Sequence, residues 1–244
     1  MPAEPRLILP NGPIGPIPFP AEDPPETLYR FQPSGILIEM TRRMLAPEIW
    51  EALARGDYEA AELAGLLGLI RPGDTVLELG AGIGFIGSFI ARALAPRRLV
   101  SVEADPRVAA IAARTHALNN VTVELHNTLV AAEDGEVTFF QQEAFWSSST
   151  SWLPDSTEVR LPTTAFRRLL AEVRPDVLVL DIEGGEVDIF DGVDLTGIRA
   201  ISLEVHRRLT GLAGIHRLFA ALGAAGFAYD PIWSKGAVVV FGRI

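Results

Sequence analysis

Apolar residues fall into two patterns along this chain. The runs Val76 to Leu79, Leu99 to Val102 and Val177 to Leu180 are short and continuous, the form expected of central parallel strands covered on both faces. Val121 to Leu125, Val137 to Gln141, Glu158 to Leu161, Ala200 to Val205, Ala228-Tyr229 and Ala237 to Phe241 read as further strands, with Glu158 to Leu161 able to pair back on Val137 to Gln141. Helical spacing separates most of them. It is carried by Ile83, Ile86, Ile90 and Leu94, then by Val108, Ile111, Thr115 and Leu118 between Pro106 and the Asn119-Asn120 stop. It returns at Phe166, Leu169, Leu170 and Val173, where Thr163 or Thr164 is the expected cap, and at Ile215, Phe219 and Leu222 in a last helix from about Leu212 to Ala225. Upstream, Pro47 opens a helix over Glu48 to Ala54, and a second runs from Tyr58 to Leu69 after the Gly56-Asp57 break. The last two strands have no room between them for a helical crossover. The spacing therefore predicts an α/β fold: a doubly wound sheet of about seven strands, mostly parallel, with the last strand antiparallel.

Residues 1–46 follow a different rule. Pro2, Pro5, Pro10, Pro13, Pro16, Pro18, Pro20, Pro24, Pro25 and Pro33 exclude a helix and disfavour a central strand, although Gly35 to Met40 can form a short one. The expected organisation is a proline-rich arm over 1–46 and one domain over 47–244. Leu7, Ile8, Leu9, Ile14, Ile17 and Phe19 leave three options for the arm: packing over the domain, covering a partner subunit in a homodimer, or disorder. The net charge of −10, with no long basic run, argues against a nucleic-acid substrate and against an anionic membrane surface. With no cysteine in 244 residues, thiol catalysis and cysteine-based metal sites are excluded. The first residues lack the basic-then-apolar order of a signal peptide, and no run reaches spanning length, so a cytoplasmic protein is the expectation.

The chemistry is concentrated between Thr75 and Asp105. A strand ends in Gly80-Ala81-Gly82-Ile83-Gly84, a helix follows, and a second strand closes on Glu103 and Asp105. Glycines let a backbone turn sharply and approach a ligand, and an acid ending the second strand can accept from two ribose hydroxyls. This is the pattern of a nucleoside-cofactor site. Gly82-Ile83-Gly84-Phe85-Ile86-Gly87 also matches a dinucleotide fingerprint, but its phase is wrong. Counted from Gly80 at the strand end, the position that needs a small residue beside a pyrophosphate holds Phe85. Glu78 also aims an acid at the turn, which suits an ammonium better than two phosphates. S-adenosylmethionine fits: its amino-acid end toward Glu78 and the turn, its ribose toward Glu103, its adenine edge toward Asn127. Gly80, Ala81, Gly82, Gly84, Phe85 and Ala104 complete the expected cofactor set.

The segment from about Arg71 to Val240 resembles the FkbM-type methyltransferases, a branch of the class I S-adenosylmethionine-dependent fold. The resemblance rests on Leu77-Glu78-Leu79-Gly80-Ala81-Gly82-Ile83-Gly84-Phe85, Val102-Glu103-Ala104-Asp105-Pro106, Asn119-Asn120, Leu180-Asp181-Ile182-Glu183-Gly184-Gly185-Glu186 and Ser202-Leu203-Glu204-Val205-His206. The family more often carries an Asp before its turn, with Gly-Ala-Asn in it, and Pro-Asn or Pro-x-Pro after the second-strand acid. The resemblance implies strand order 3-2-1-4-5-7-6, no metal, and O-methylation of a hydroxyl on a sugar, polyketide or similar natural product.

On this reading Glu78, Glu103, Asp181 and Glu183 converge at the strand ends, with Glu204 and His206 on the neighbouring one. Asp181 is expected closest to the sulfonium and the acceptor, and Glu183 or His206 to take the proton. Glu186 is as readily structural, and His116, His126 and His216 read as surface or boundary residues. An oxygen-rich metal site can be drawn from Asp181, Glu183, Glu204 and His206, but their spacing matches no ligand signature, and none is expected. The stretch Phe145 to Trp152, hydroxyls between aromatics, suits a lid over an acceptor. The rivals are N- or carboxyl-methylation on the same fold, a non-catalytic cofactor-binding scaffold, and an NAD-linked oxidoreductase.

Overall fold

A computed structural model describes residues 6–8 (backbone only), 17–141 and 156–244. Its centre is a seven-stranded sheet of β4 (Thr75–Leu79), β5 (Arg98–Glu103), β6 (Glu124–Asn127), β10 (Val177–Leu180), β11 (Ala200–Glu204), β12 (Phe227–Tyr229) and β13 (Val238–Arg243). Across the sheet the order is β12-β13-β11-β10-β4-β5-β6, and only β13 runs against its neighbours β11 and β12. Renumbered along the chain, this is 3-2-1-4-5-7-6.

Both faces of the sheet are covered, which is why the central strands read as unbroken apolar runs. On one face Leu77, Leu79, Leu178, Leu180, Ile201 and Leu203 pack with Phe166 and Leu169 of α5 (Phe166–Val173) and Leu218 and Leu222 of α6 (Arg207–Ala224). On the other, Val76, Val177, Val179 and Val240 meet Leu66 and Leu69 of α2 (Ala60–Leu69) and Ile90 beyond α3 (Phe85–Phe89). Side chains alternate along a strand, so Glu78 shares the second face with Val76 and Val179. A separate sheet, in the order β7-β9-β8, joins β7 (Leu129–Ala131), β8 (Gly135–Gln141) and β9 (Thr157–Ala165).

The N-terminal segment makes a third sheet: β1 (Arg6–Ile8), β2 (Leu28–Phe31) and β3 (Ile38–Thr41). Strand β2 is central and carries no proline. Tyr29 and Phe31 pack edge-on against Trp50 of α1 (Pro47–Arg55), whose indole nitrogen donates to Ile17 O at 2.9 Å. Two polar ties hold this sheet to α4 (Pro106–Leu118). The buried Glu39 pairs with both Arg30 and Arg114, and Asn119 brackets Leu37, accepting from its N–H and donating to its carbonyl at 2.8 Å each. Residues 17–46 pack over the domain.

Several boundaries move. Thr163 and Thr164 lie in β9 and do not cap α5; its N-cap is Ala165, whose N–H is met by Asp134 Oδ1 at 2.9 Å. The helix after the glycine turn changes to a π turn at Ile90–Leu94, the third core strand begins at Glu124, and the last helix begins at Arg207 with a kink at Gly211. His116 is a correction. It is buried on the inner face of α4, one turn after Ala112. The Phe145 to Trp152 stretch lies outside the described residues. No described helix is long and apolar enough to cross a membrane.

Candidate active site

At the C-terminal ends of β4, β5, β10 and β11 the chain encloses a cavity of about 350 Å³. One wall is the glycine turn. The N–H groups of Gly80 and Ala81 both donate to Val102 O, at 2.9 and 3.0 Å, which folds the turn onto the end of β5. Gly80 has φ +86°, and a Cβ there would lie 1.8 Å from Asp181 O, so only glycine allows β4 and β10 to close at this point. Asp181 N–H in turn donates to Leu79 O at 2.9 Å. Gly84, at φ +79°, lets α4 approach: its Cβ would lie 2.7 Å from Ala112 Cα.

Glu103 is held rigidly at the end of β5. Its two oxygens accept from Gly82 N and Asp105 N, each at 2.9 Å. Burial pushes this carboxyl up to about 7, against the backbone bonds that favour its charge. Glu78 is deeper, at 1 % exposure. Ser101 donates its hydroxyl to Oε2, Oε1 has no partner, and burial raises the group to about 8. A buried carboxyl oxygen without a partner, beside an open cradle, leaves a position for a hydrogen-bonding group of a ligand.

The neighbouring strand end, after β10, is acidic. Asp181 opens onto the cavity with 43 % of its side chain exposed. His206 lies behind it, with Nε2 at 3.5 Å from both Asp181 Oδ1 and Glu183 Oε2, and Nδ1 at 3.4 Å from Glu186 Oε1. Glu186 is buried and accepts from the backbone N–H of His206 at 2.9 Å, which fixes the start of α6 beside it. Burial alone would lower His206, but Glu186, Glu183 and Asp181 together lift it to about 9, and at neutral pH it is an imidazolium. Asp181 is raised to about 7, first by its depth in the cavity and then by Glu204. Donor atoms of Asp181, Glu204 and His206 lie within 4.8 Å of one another.

Most of the residues expected from the sequence meet here. Glu78, Gly80, Ala81, Gly82, Phe85, Glu103, Ala104, Asp181, Glu183 and Glu204 line the cavity; Gly84 and His206 support it from behind. Asn127 does not line it. Its Nδ2 donates to Glu103 O at 2.8 Å and Ala104 O at 3.0 Å, and Thr128 and Leu129 form the wall instead. Tyr58, Glu59, Glu62 and Phe139 also line the cavity and were missed. Glu59 and Glu62 stand three apart at the entry of α2, a spacing that shares a helix face, but acids in a first turn are ordinary. Phe85, expected to crowd a pyrophosphate, is buried edge-on against Tyr58 at 5.3 Å.

Together, the strand order and this cradle define a class I S-adenosylmethionine-dependent methyltransferase. The orphaned Glu78 Oε1 fits the ammonium of the cofactor, and the clamped Glu103 fits its ribose. The sequence profile of the methyltransferase FkbM domain matches residues 78–229, and the chain belongs to that family. Among solved structures, TYW2 from M. jannaschii in complex with AdoMet is similar at 15 % identity over 90 % of this chain and 88 % of its own, with a TM-score of 0.48. The O-methyltransferase TomG from Streptomyces achromogenes, in complex with SAM, shows 16 % identity over 75 % and 79 %, TM-score 0.48. An O-methyltransferase from Bacillus cereus, in complex with SAH, shows 17 % identity over 75 % and 80 %, TM-score 0.47. No curated protein matches the sequence.

Proposed function

We propose that this methyltransferase methylates a hydroxyl oxygen of a small acceptor such as a sugar or another natural product, with Asp181 as the general base. The observation that carries the reading is the placement of Asp181: its carboxyl opens onto the cavity at the end of β10, beside the glycine turn, with the His206 ring at 3.5 Å behind it. When bound, S-adenosylmethionine supplies a methyl group already activated on a sulfonium sulfur. On transfer the acceptor oxygen would take the methyl group, the methyl–sulfur bonding pair would stay on sulfur, and Asp181 would take the hydroxyl proton.

A base is most effective when its pKa lies near the working pH, and Asp181 meets that condition. His206 does not, because it already carries its proton. Its role is to position Asp181 and Glu183, with Glu186 holding its other side. Glu78 and Glu103 would hold the cofactor's ammonium and ribose. The glycine turn leaves its backbone open toward the cavity. The apolar residues Val102, Val130, Phe139 and Val179 limit water in the cavity.

The test is transfer of labelled methyl from S-adenosylmethionine to a panel of hydroxylated small molecules, with the product located by NMR. Asp181→Asn should lower kcat by roughly 10²–10⁴-fold while affecting S-adenosylhomocysteine affinity far less. In the wild type kcat/KM should rise with pH through about 7, the range in which Asp181 ionises. Methyl found on nitrogen or carboxylate, or an Asp181→Asn variant with full kcat, would refute the assignment.

A further inference from the structure

Beneath the glycine turn, three buried polar groups meet at one place. The position that a Gly87 Cβ would take lies 2.8 Å from Glu78 Oε2 and 3.3 Å from both His116 Nε2 and Ser101 Oγ. A Gly84 Cβ would lie 3.0 Å from the same His116 nitrogen. The two bare Cα atoms thus make the room into which α4 turns its imidazole, toward the carboxyl of β4. All three side chains are buried. Ser101 donates to Glu78 Oε2, whereas Glu78 Oε1 and His116 Nε2 have no hydrogen-bond partner. A buried imidazole nitrogen left without a partner is rare in native proteins and calls for a role.

The charged groups around His116 are engaged elsewhere. Of the elements packed against α4, α3 carries no charged residue, and Glu39 of β3 is taken by Arg30 and by Arg114 of α4 itself. Arg98 of β5 pairs with Glu124 of β6, Glu103 is held by the N–H groups of Gly82 and Asp105, and His126 of β6 is exposed. At the start of α4, Arg107 pairs with Asp105. Glu78 is the acid that remains, and Glu103 and Asp181 oppose its charge from the cavity side. Burial lowers His116 to about 4 and raises Glu78 to about 8, so with the site empty both groups are neutral at pH 7. An ammonium docked on Oε1 favours the carboxylate, and the Glu78 proton must then leave.

We infer that His116 takes it. As the cofactor's ammonium docks, the O–H bond of the Glu78 carboxyl breaks, an Nε2–H bond forms on His116, and a buried carboxylate–imidazolium pair is left beneath the turn. Ser101, bonded to Glu78 and facing the same point, is placed to carry the proton across. The inference rests on the cofactor assignment and deepens it: the ammonium is recognised by a carboxylate made on binding, and no proton is exchanged with solvent. A nucleoside without the amino-acid end leaves the pair neutral, so the same groups report whether that end is present.

The test follows the histidine rings of the full chain by NMR with ¹⁵N-labelled, assigned histidine at pH 7. S-adenosylhomocysteine is one titrant, and 5′-methylthioadenosine, which has no ammonium, is the other. His116 should pass from the neutral to the imidazolium pattern with the first and stay neutral with the second. Calorimetry in two buffers of different ionisation enthalpy should find almost no proton released per S-adenosylhomocysteine by the wild type and about one by His116→Gln, whose amide cannot take it. In that variant affinity should rise about tenfold per pH unit between pH 6 and the Glu78 value, and in the wild type it should stay level, a contrast that lost packing alone would not produce. A His116 ring that stays neutral with S-adenosylhomocysteine bound, or a wild type that releases about one proton, would overturn the inference. Both are read on the wild-type chain, so the test stands even where the variant does not fold. Failure of the wild type to bind S-adenosylhomocysteine at all would instead sink the cofactor assignment beneath it.

Discussion

At the scale of single residues, the site depends on side chains that are absent as much as on those present. Gly87 is the clearest case after Gly80. A Cβ there would lie 2.8 Å from Glu78 Oε2 and 3.3 Å from both His116 Nε2 and Ser101 Oγ. Alanine in a helix interior ordinarily gains about 1 kcal/mol over glycine. Here the methyl group would push the Glu78 carboxyl out of its bond with Ser101. Gly87→Ala is therefore expected to bring no rise in Tm and to weaken S-adenosylhomocysteine about tenfold or more, on the scale of a lost charged hydrogen bond. Calorimetry on the variant checks both. A stabilised protein of normal affinity would mean that the Glu78 carboxyl can move without loss. His116 belongs to the same buried group: burial lowers it to about 4, so it is neutral and adds no charge beneath the turn.

Among the elements, the N-terminal sheet and α1 are one structural unit with the cofactor turn. Tyr29, Phe31, Ile38, Met40, Trp50 and Leu53 share a core with Ile83 and Phe85, the residues that follow the glycines. Trp50 is the centre of that core, with Phe19, Tyr29 and Phe31 all set edge-on to it. Trp50→Ala should cost about 3–5 kcal/mol, the range for truncating a large buried aromatic. The loss should fall first on residues 17–46. Limited proteolysis should therefore cut that segment sooner in the variant than in the wild type, and S-adenosylhomocysteine affinity should drop because Phe85 loses its backing. Cleavage confined to the C-terminal half would contradict this coupling.

Over the whole molecule, the buried acids set the pH dependence of stability. Glu78, Glu103 and Asp181 keep their protons up to about 8, 7 and 7 in the folded chain, against 4.5, 4.5 and 3.8 as ordinary values. Between these limits the native state binds more protons than the unfolded chain, so stability falls as pH rises. His206 acts in the same direction. Its folded value of about 9 exceeds 6.5, so its contribution is complete below 6.5 and lost as pH rises through 9. The ligand-free protein is thus expected to melt at a higher temperature at pH 6 than at pH 8.5, and Glu78→Gln should flatten part of that slope. Differential scanning calorimetry across this range is the check. A Tm that climbs between pH 6 and 8.5 would show that these carboxyls ionise freely in the fold.

The parallel strands, the glycine turn and the acid after the second strand were legible in the sequence because each is a local demand. Val76 to Leu79 and Val177 to Leu180 carry no polar alternation since both faces are covered, and the turn after β4 needs glycine at fixed steps. The phase of that turn was local too, and it separated a sulfonium cofactor from a dinucleotide. Thr163 and Thr164 show where local reading stopped. Their propensity to cap was overridden by pairing with β7, and Asp134 supplied the missing acceptor from 31 residues away. Asn119 read as a helix stop, yet it also clasps Leu37 across 82 residues. Protonation was decided by tertiary structure alone. His206 is a cation because three acids from the 181–186 loop surround it, and Glu59 and Glu62 line the cavity because the fold brings the start of α2 to its rim. The sequence determined which residues stand at the strand ends. Burial and neighbouring charge, which depend on the assembled fold, decided which of them can take a proton and which can hold a cation.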